Sequence, residues 1–215
     1  MISRWALVCL ILISPTAMAI EEPRYELLLA QEDFQLRRYR PMLIAQVTVS
    51  GDLSTASNRG FRQVADYIFG ANEDPLKKEA QKIAMTAPVV IEDVSSKIAM
   101  TAPVIVQTEP NSGQSSKEAL WKLAFVMPEQ FTPQNLPRPK NPNIEIQSLA
   151  EREIAVVTFS GWVSEVDYEK QTARLRTWIQ EQGWRTIGEA QLSRYNPPWT
   201  LPFWRRNEVW LPVAR

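Results

Sequence analysis

The segment IAQVTVSGDLS at Ile44–Ser54 returns as IAVVTFSGWVS at Ile154–Ser164. The copies align without a gap at an offset of 110 positions, with Ile44/Ile154, Ala45/Ala155, Val47/Val157, Thr48/Thr158, Ser50/Ser160, Gly51/Gly161 and Ser54/Ser164 as identical pairs. Each copy is rich in β-forming residues and runs into Ser-Gly, a strand entering a turn. A helix follows each time. After Ser54, apolar residues fall at Phe61, Val64, Ala65, Ile68 and Phe69, the spacing of one helical face, and Gly70 is a natural stop. After Ser164, Asp167 completes a capping-box-like start; Tyr168, Leu175, Trp178 and Ile179 mark the inward face, and Gly183 ends the helix. A strand precedes each copy, at Phe34–Tyr39 and at Asn143–Leu149, and further strands follow, at the two KIAMTAPV segments in the first half and at Gln191–Tyr195 and Glu208–Val213 in the second. With Trp121–Met127 as an additional strand, the chain reads as β-β-α-β-β written twice, in halves of about 24–127 and 143–215. Halves of this size bury little surface alone. The expectation is one α+β domain over 20–215 with pseudo-two-fold symmetry, its antiparallel sheet closed or nearly closed and flanked by two helices.

A shorter repeat lies inside the first half: KIAMTAPV occurs at Lys82–Val89 and again at Lys97–Val104. If extended, each copy turns Ile83, Met85, Ala87 and Val89, or Ile98, Met100, Ala102 and Val104, to one side, and the polar link between them is short enough for a hairpin. Pro88 and Pro103 remove ladder donors, so the strands must be edges, bulged or bent there. Met85 and Met100 are candidate thioether ligands for a soft metal or haem iron, or flexible fillers of apolar gaps. Between the halves, the proline-rich stretch Pro128–Asn143 excludes a helix or central strand, and reads as a stiff crossover or as a polyproline II ligand for a partner.

The amino terminus carries Arg4, a short apolar run from Trp5 to Ile13, and Ala17-Met18-Ala19, the pattern of a signal peptide over 1–19 cleaved after Ala19. That pattern implies export, to a periplasm, a thylakoid lumen or the medium, with no integral membrane segment after cleavage. The only cysteine, Cys9, lies within it, and the chain has no histidine. Ser-His-Asp and Cys-His catalysis and the common His/Cys zinc sites are therefore excluded. A haem here has neither histidine nor cysteine thiolate as axial ligand. Lys plus Arg equals Asp plus Glu, at 24 each, so there is no basic footprint for nucleic acid.

Several linked segments carry a family resemblance: YELLLAQEDFQLRRYRP (Tyr25–Pro41), GFRQVADYIFGANE (Gly60–Glu73), KIAMTAPV, FVMPEQF (Phe125–Phe131) and RYNPPWTLPFWRRNEVWL (Arg194–Leu211). In order and spacing the chain resembles the SOUL/haem-binding protein family from about Tyr25 to its end. The resemblance implies a distorted antiparallel β-barrel with two helices, likeness to effector-binding domains of bacterial regulators, and non-enzymatic binding of haem or another tetrapyrrole near the first helix. Some relatives carry a histidine before the tyrosine matched by Tyr39, where this chain has Arg38. Others are thought to hold the propionates with basic residues at positions matched here by Asn58, Asp66 and Thr200, beside which stand Arg59, Arg62, Arg205 and Arg206.

A tetrapyrrole needs a flat apolar slot and cations for its carboxylates. The candidate surface joins Phe61, Arg62, Val64, Tyr67 and Ile68 of the first helix to Trp199, Phe203, Trp204, Arg205 and Arg206 of the loop that follows the Pro-Pro pair. The alternative is that these aromatics close the barrel end while the arginines pair with Glu208 or face water. Two functions stay open: an exported tetrapyrrole carrier or buffer, and a protein-interaction or scaffolding module on the same fold. No paired carboxylate constellation argues for an enzyme.

Overall fold

The structure is a computed structural model, and it describes residues 20–94, 119–197 and 199–215. The elements run β1 (Tyr25–Gln31), β2 (Phe34–Tyr39), β3 (Met42–Ser50), α1 (Leu53–Ile68), β4 (Asn72–Glu73), β5 (Val89–Asp93), β6 (Leu120–Val126), β7 (Arg138–Pro139), β8 (Glu145–Leu149), β9 (Arg152–Phe159), α2 (Glu165–Glu181), β10 (Arg185–Thr186), β11 (Gln191–Arg194) and β12 (Asn207–Ala214). The main sheet is a curled antiparallel half-barrel in the order β1-β2-β9-β12-β11-β5-β6-β3-β8, with β10 beside β12. A small β4–β7 ladder ties the proline-rich crossover to the end of α1.

The repeat governs this topology through an exchange. The strand that precedes each repeated segment pairs with the other copy: β2 lies on β9, and β8 lies on β3. The registers obey the sequence offset, since Arg37 faces Ile154 while Gln147 faces Ile44. The two halves join again where Leu192 of β11 faces Ile91 of β5. Because a one-residue slip would turn every side chain to the wrong face, the shared alternation of the copies fixes both registers at once.

One face of the sheet packs on the helices. Leu36, Ala45, Val47, Leu123, Val157, Leu192 and Val209 meet Val64 and Ile68 of α1 and Leu175 and Ile179 of α2 in one core. Asp52 caps α1 by accepting from the Thr55 N–H, and Ser164 with Asp167 forms the expected capping box on α2. The inward face of α2 is Tyr168, Leu175, Trp178 and Ile179, as the spacing predicts. Gly60 lets α1 approach β6: a Cβ there would lie 2.9 Å from Leu123 Cβ. The opposite sheet face carries a second cluster with Tyr39, Ile44, Val90, Ala124, Ile154, Val156, Tyr195 and Trp210.

The first KIAMTAPV departs from the strand expected of it. Lys82–Met85 is irregular, Thr86 makes an isolated bridge to Glu21, and pairing begins only at Val89, after Pro88. The missing proline donor accounts for the late start. The second copy, with Met100 and Pro103, lies outside the described residues. The crossover carries a buried anchor, Leu136, and its Pro137 carbonyl accepts from the Tyr67 hydroxyl at 2.7 Å.

Candidate functional site

Two arginine- and aromatic-rich places stand out, one on the surface and one inside. The surface place is the connection between β11 and β12. Its Pro202–Trp204 segment forms a 3-10 turn. The connection is tied to the turn before α2: the Gly161 N–H donates to the Pro202 carbonyl at 3.0 Å, and Asn207 Nδ2 donates to the Gly161 carbonyl at 3.1 Å. The Arg205 guanidinium lies 3.8 Å over the Trp162 ring, and its Nε donates to the Thr200 carbonyl at 2.8 Å. Phe203 and Trp204 meet edge to face, with centroids 5.0 Å apart. Although the backbone is held, the rings are open: Trp162 is 68% exposed, Trp199 83%, Phe203 65% and Trp204 69%. Exposed aromatic area of this kind on a fixed backbone is the type of patch that a flat ligand or a partner can cover.

The structure divides the residues expected of the site. Trp199, Phe203, Trp204 and Arg205 share this corner with Trp162, which the sequence reading left out. Val64, Tyr67 and Ile68 are instead buried between α1 and the sheet, because the apolar stripe of an amphipathic helix seeks the core first. Phe61 is half-buried against Phe125, with centroids 5.4 Å apart, and Arg62 is exposed on the outer face of α1. Arg206 is engaged in ion pairs, with Glu208 at 2.9 Å and Glu22 at 3.0 Å, and lies over the Tyr195 ring. Met85 is half-buried against the core.

The inner place is centred on Glu208. Its buried carboxylate accepts from Arg37 at 2.9 and 3.0 Å, from the Tyr195 hydroxyl at 2.7 Å, from Trp210 Nε1 at 2.7 Å and from Arg206 Nε at 3.0 Å. Tyr39 accepts from Arg37 at 3.0 Å and stacks obliquely on Trp210. Burial pushes the Glu208 carboxyl up, but the Arg37 hydrogen bonds and charge, with Trp210 and Arg206, outweigh it and hold the group below the usual carboxylate range. Burial also drives the Tyr195 and Tyr39 hydroxyls far up, so both stay protonated. With its lone pairs taken, Glu208 is a structural anion. The sequence signal for it was a charge near the start of a strand, facing the same side as Trp210, which only the fold pairs with Arg37.

Among the described residues no cluster of three or more His, Cys, Asp or Glu is placed to hold a metal, and no helix is long and apolar enough to cross a membrane. The family model described as SOUL heme-binding protein matches residues 20–212, and the chain belongs to that family. It is 30% identical over 206 residues to heme-binding protein 2 of Homo sapiens, covering 91% of this chain and 87% of that protein. Heme-binding protein 1 of Sus scrofa is 32% identical over 105 residues, 49% of this chain and 54% of its own length. In fold alone, the chain is similar to the EcmrR C-terminal domain, with a TM-score of 0.56 at 13% identity over 89% of this chain and 98% of that one.

Proposed function

We propose that the protein binds a tetrapyrrole, haem or a free porphyrin, at the corner formed by Trp162, Trp199, Phe203, Trp204 and Arg205, and acts as a binding protein and not as an enzyme. The observation that carries this reading is the set of exposed rings on a pinned backbone beside Arg205. Stacking on these rings suits a flat macrocycle, and the Arg205 guanidinium suits one of its carboxylates. The residues fit the macrocycle and its acids. The chain offers no imidazole, its one cysteine is Cys9, and none of the corner side chains is an iron ligand, so at this corner the porphyrin and not the metal is the recognised part. Haem and metal-free porphyrin should therefore bind alike. A carrier or buffer role after export, in a periplasm, a thylakoid lumen or the medium, rests on the pattern over 1–19; finding Met1 retained on protein purified from its native cells would remove it.

The test is a titration of haemin and of protoporphyrin, followed by the Soret band and by tryptophan quenching. Saturation at one ligand per chain, weakened about tenfold or more by Trp204→Ala and by Arg205→Glu, supports the proposal. No saturable change at micromolar ligand contradicts it. A protein partner captured in place of the porphyrin, and lost with the same variants, would transfer the corner to the scaffolding reading.

A further inference from the structure

Beside the aromatic corner stands a cation without a counter-ion among the described residues. Arg194 is the last residue of β11 and lies directly opposite Asn207 of β12. Opposed residues of an antiparallel pair send their side chains to the same face. Asn207 Nδ2 donates to the Gly161 carbonyl, and Trp162 follows with Arg205 over its ring. Arg194 therefore leaves the sheet on the side where the turn before α2 meets the β11–β12 connection, next to the corner. Its other cross-strand neighbour, Val89, is apolar.

The Arg194 guanidinium makes no hydrogen bond or ion pair with the described residues. Its Nε is sealed off, so no ligand reaches that atom. The residue as a whole is only half-buried, and the two terminal nitrogens are its open end. Burial pushes the guanidinium below its usual range, and the Arg205 charge pushes it the same way, with no carboxylate opposing them. A cation withdrawn from water is ordinarily paired. The repeat itself asks for no cation here. Trp121 faces Val49 and Asp93, Asn207 faces Phe159 and Arg194, and Val49 and Phe159 are counterparts at the offset of 110. The counterpart of Arg194 in the first half is therefore Asp93, and the positive charge belongs to this corner alone.

We propose that Arg194 is the second carboxylate-binding group of the corner, and that the site selects tetrapyrroles with two free acid arms. This rests on the tetrapyrrole reading above and states which macrocycles the corner takes. With the ring laid on the exposed aromatics, Arg205 meets one carboxylate and the terminal nitrogens of Arg194 meet the other. A dianion also relieves the repulsion between the two guanidiniums, so the pair of arms counts for more than either alone. With one arm blocked, one guanidinium stays as unpaired as in the free protein.

The probes are protoporphyrin and its monomethyl ester, titrated into the full-length protein in the same dilute detergent and followed by tryptophan quenching. The wild type should prefer the diacid by about tenfold, the worth of one charge-assisted pair. Arg194→Met should weaken the diacid by about that factor and the monoester far less, so that the two bind alike. Arg194→Lys keeps the charge and should keep part of the preference. The wild-type comparison reads the site even if Arg194→Met fails to fold. Equal binding of diacid and monoester by the wild type, or an Arg194→Met loss that is the same for both, overturns the role of Arg194 and leaves the corner standing. Saturable binding of neither ligand overturns the corner, and the role of Arg194 with it.

Discussion

Replacing Glu208 by Gln changes one charge and almost no volume. In the wild type the Arg37 and Glu208 side chains are 3% and 0% exposed and lie 2.9 Å apart. The amide keeps one acceptor for the donors of Arg37, Tyr195, Trp210 and Arg206, and turns an NH2 toward at least one of them. Arg37 then remains as a buried cation without its counter-ion. Removing one partner of a buried pair costs about 3–5 kcal/mol. A domain is stable by only about 5–15 kcal/mol, so the loss is a large share of the total. At about 2–4 °C per kcal/mol, the melting temperature should drop by roughly 6–20 °C. Urea unfolding followed by circular dichroism and tryptophan fluorescence measures the change. The pH dependence gives a second handle. The folded Glu208 titrates below its unfolded value of 4.5, so its stabilisation is complete above that value and fades as pH falls through the folded one. The gap between wild type and variant should accordingly narrow on acidification. A loss below about 1 kcal/mol near neutral pH, or a gap that stays constant into the acid range, would refute the assignment of Glu208 as the charged centre of this cluster.

Three further outcomes follow from packing and capping. Gly60→Ala places a Cβ 2.9 Å from Leu123 Cβ, where α1 and β6 leave no slack, and should cost about 1–3 kcal/mol in chemical denaturation. Ser164→Ala removes the capping-box acceptor of the Asp167 N–H and should lower stability by about 1 kcal/mol in chemical denaturation. Tyr67→Phe leaves the Pro137 carbonyl without its 2.7 Å donor, and should cost about 1 kcal/mol while raising amide exchange in the crossover near Leu136.

What could be read from the chain was local or periodic. The capping box at Ser164 and Asp167, the inward face of α2 and the doubled strand-turn-helix pattern all lie within short spans whose geometry is set by neighbours in sequence. The exchange of β2 and β8 between halves is a long-range pairing, and alternation alone does not say which strand a strand will meet. The apolar stripe of α1 was legible as a stripe, but its partner was not: Val64, Tyr67 and Ile68 serve the core, and the exposed aromatic area lies at Trp162 and in the β11–β12 connection. Trp162 was missed because it lies beside the loop only in space, brought there by the Gly161 N–H bond to Pro202. The Glu208 cluster draws on β2, on Tyr195 just past β11, and on β12, so no window of sequence contains it. Arg206 shows how a basic residue near an aromatic loop can be engaged by ion pairs, here with Glu208 and Glu22. The KIAMTAPV repeat was conspicuous in the sequence, yet its first copy contributes only Val89 to the sheet.

Hydrogen exchange with and without haemin tests the central claim most directly, because it locates the ligand as well as detecting it. The account predicts slower exchange in the Gly161–Val166 turn and in Trp199–Arg206 at saturating haemin, the same pattern with protoporphyrin, and no change along Val64–Ile68 of α1. Protection centred on α1, protection that requires the iron, or none at either place would contradict it.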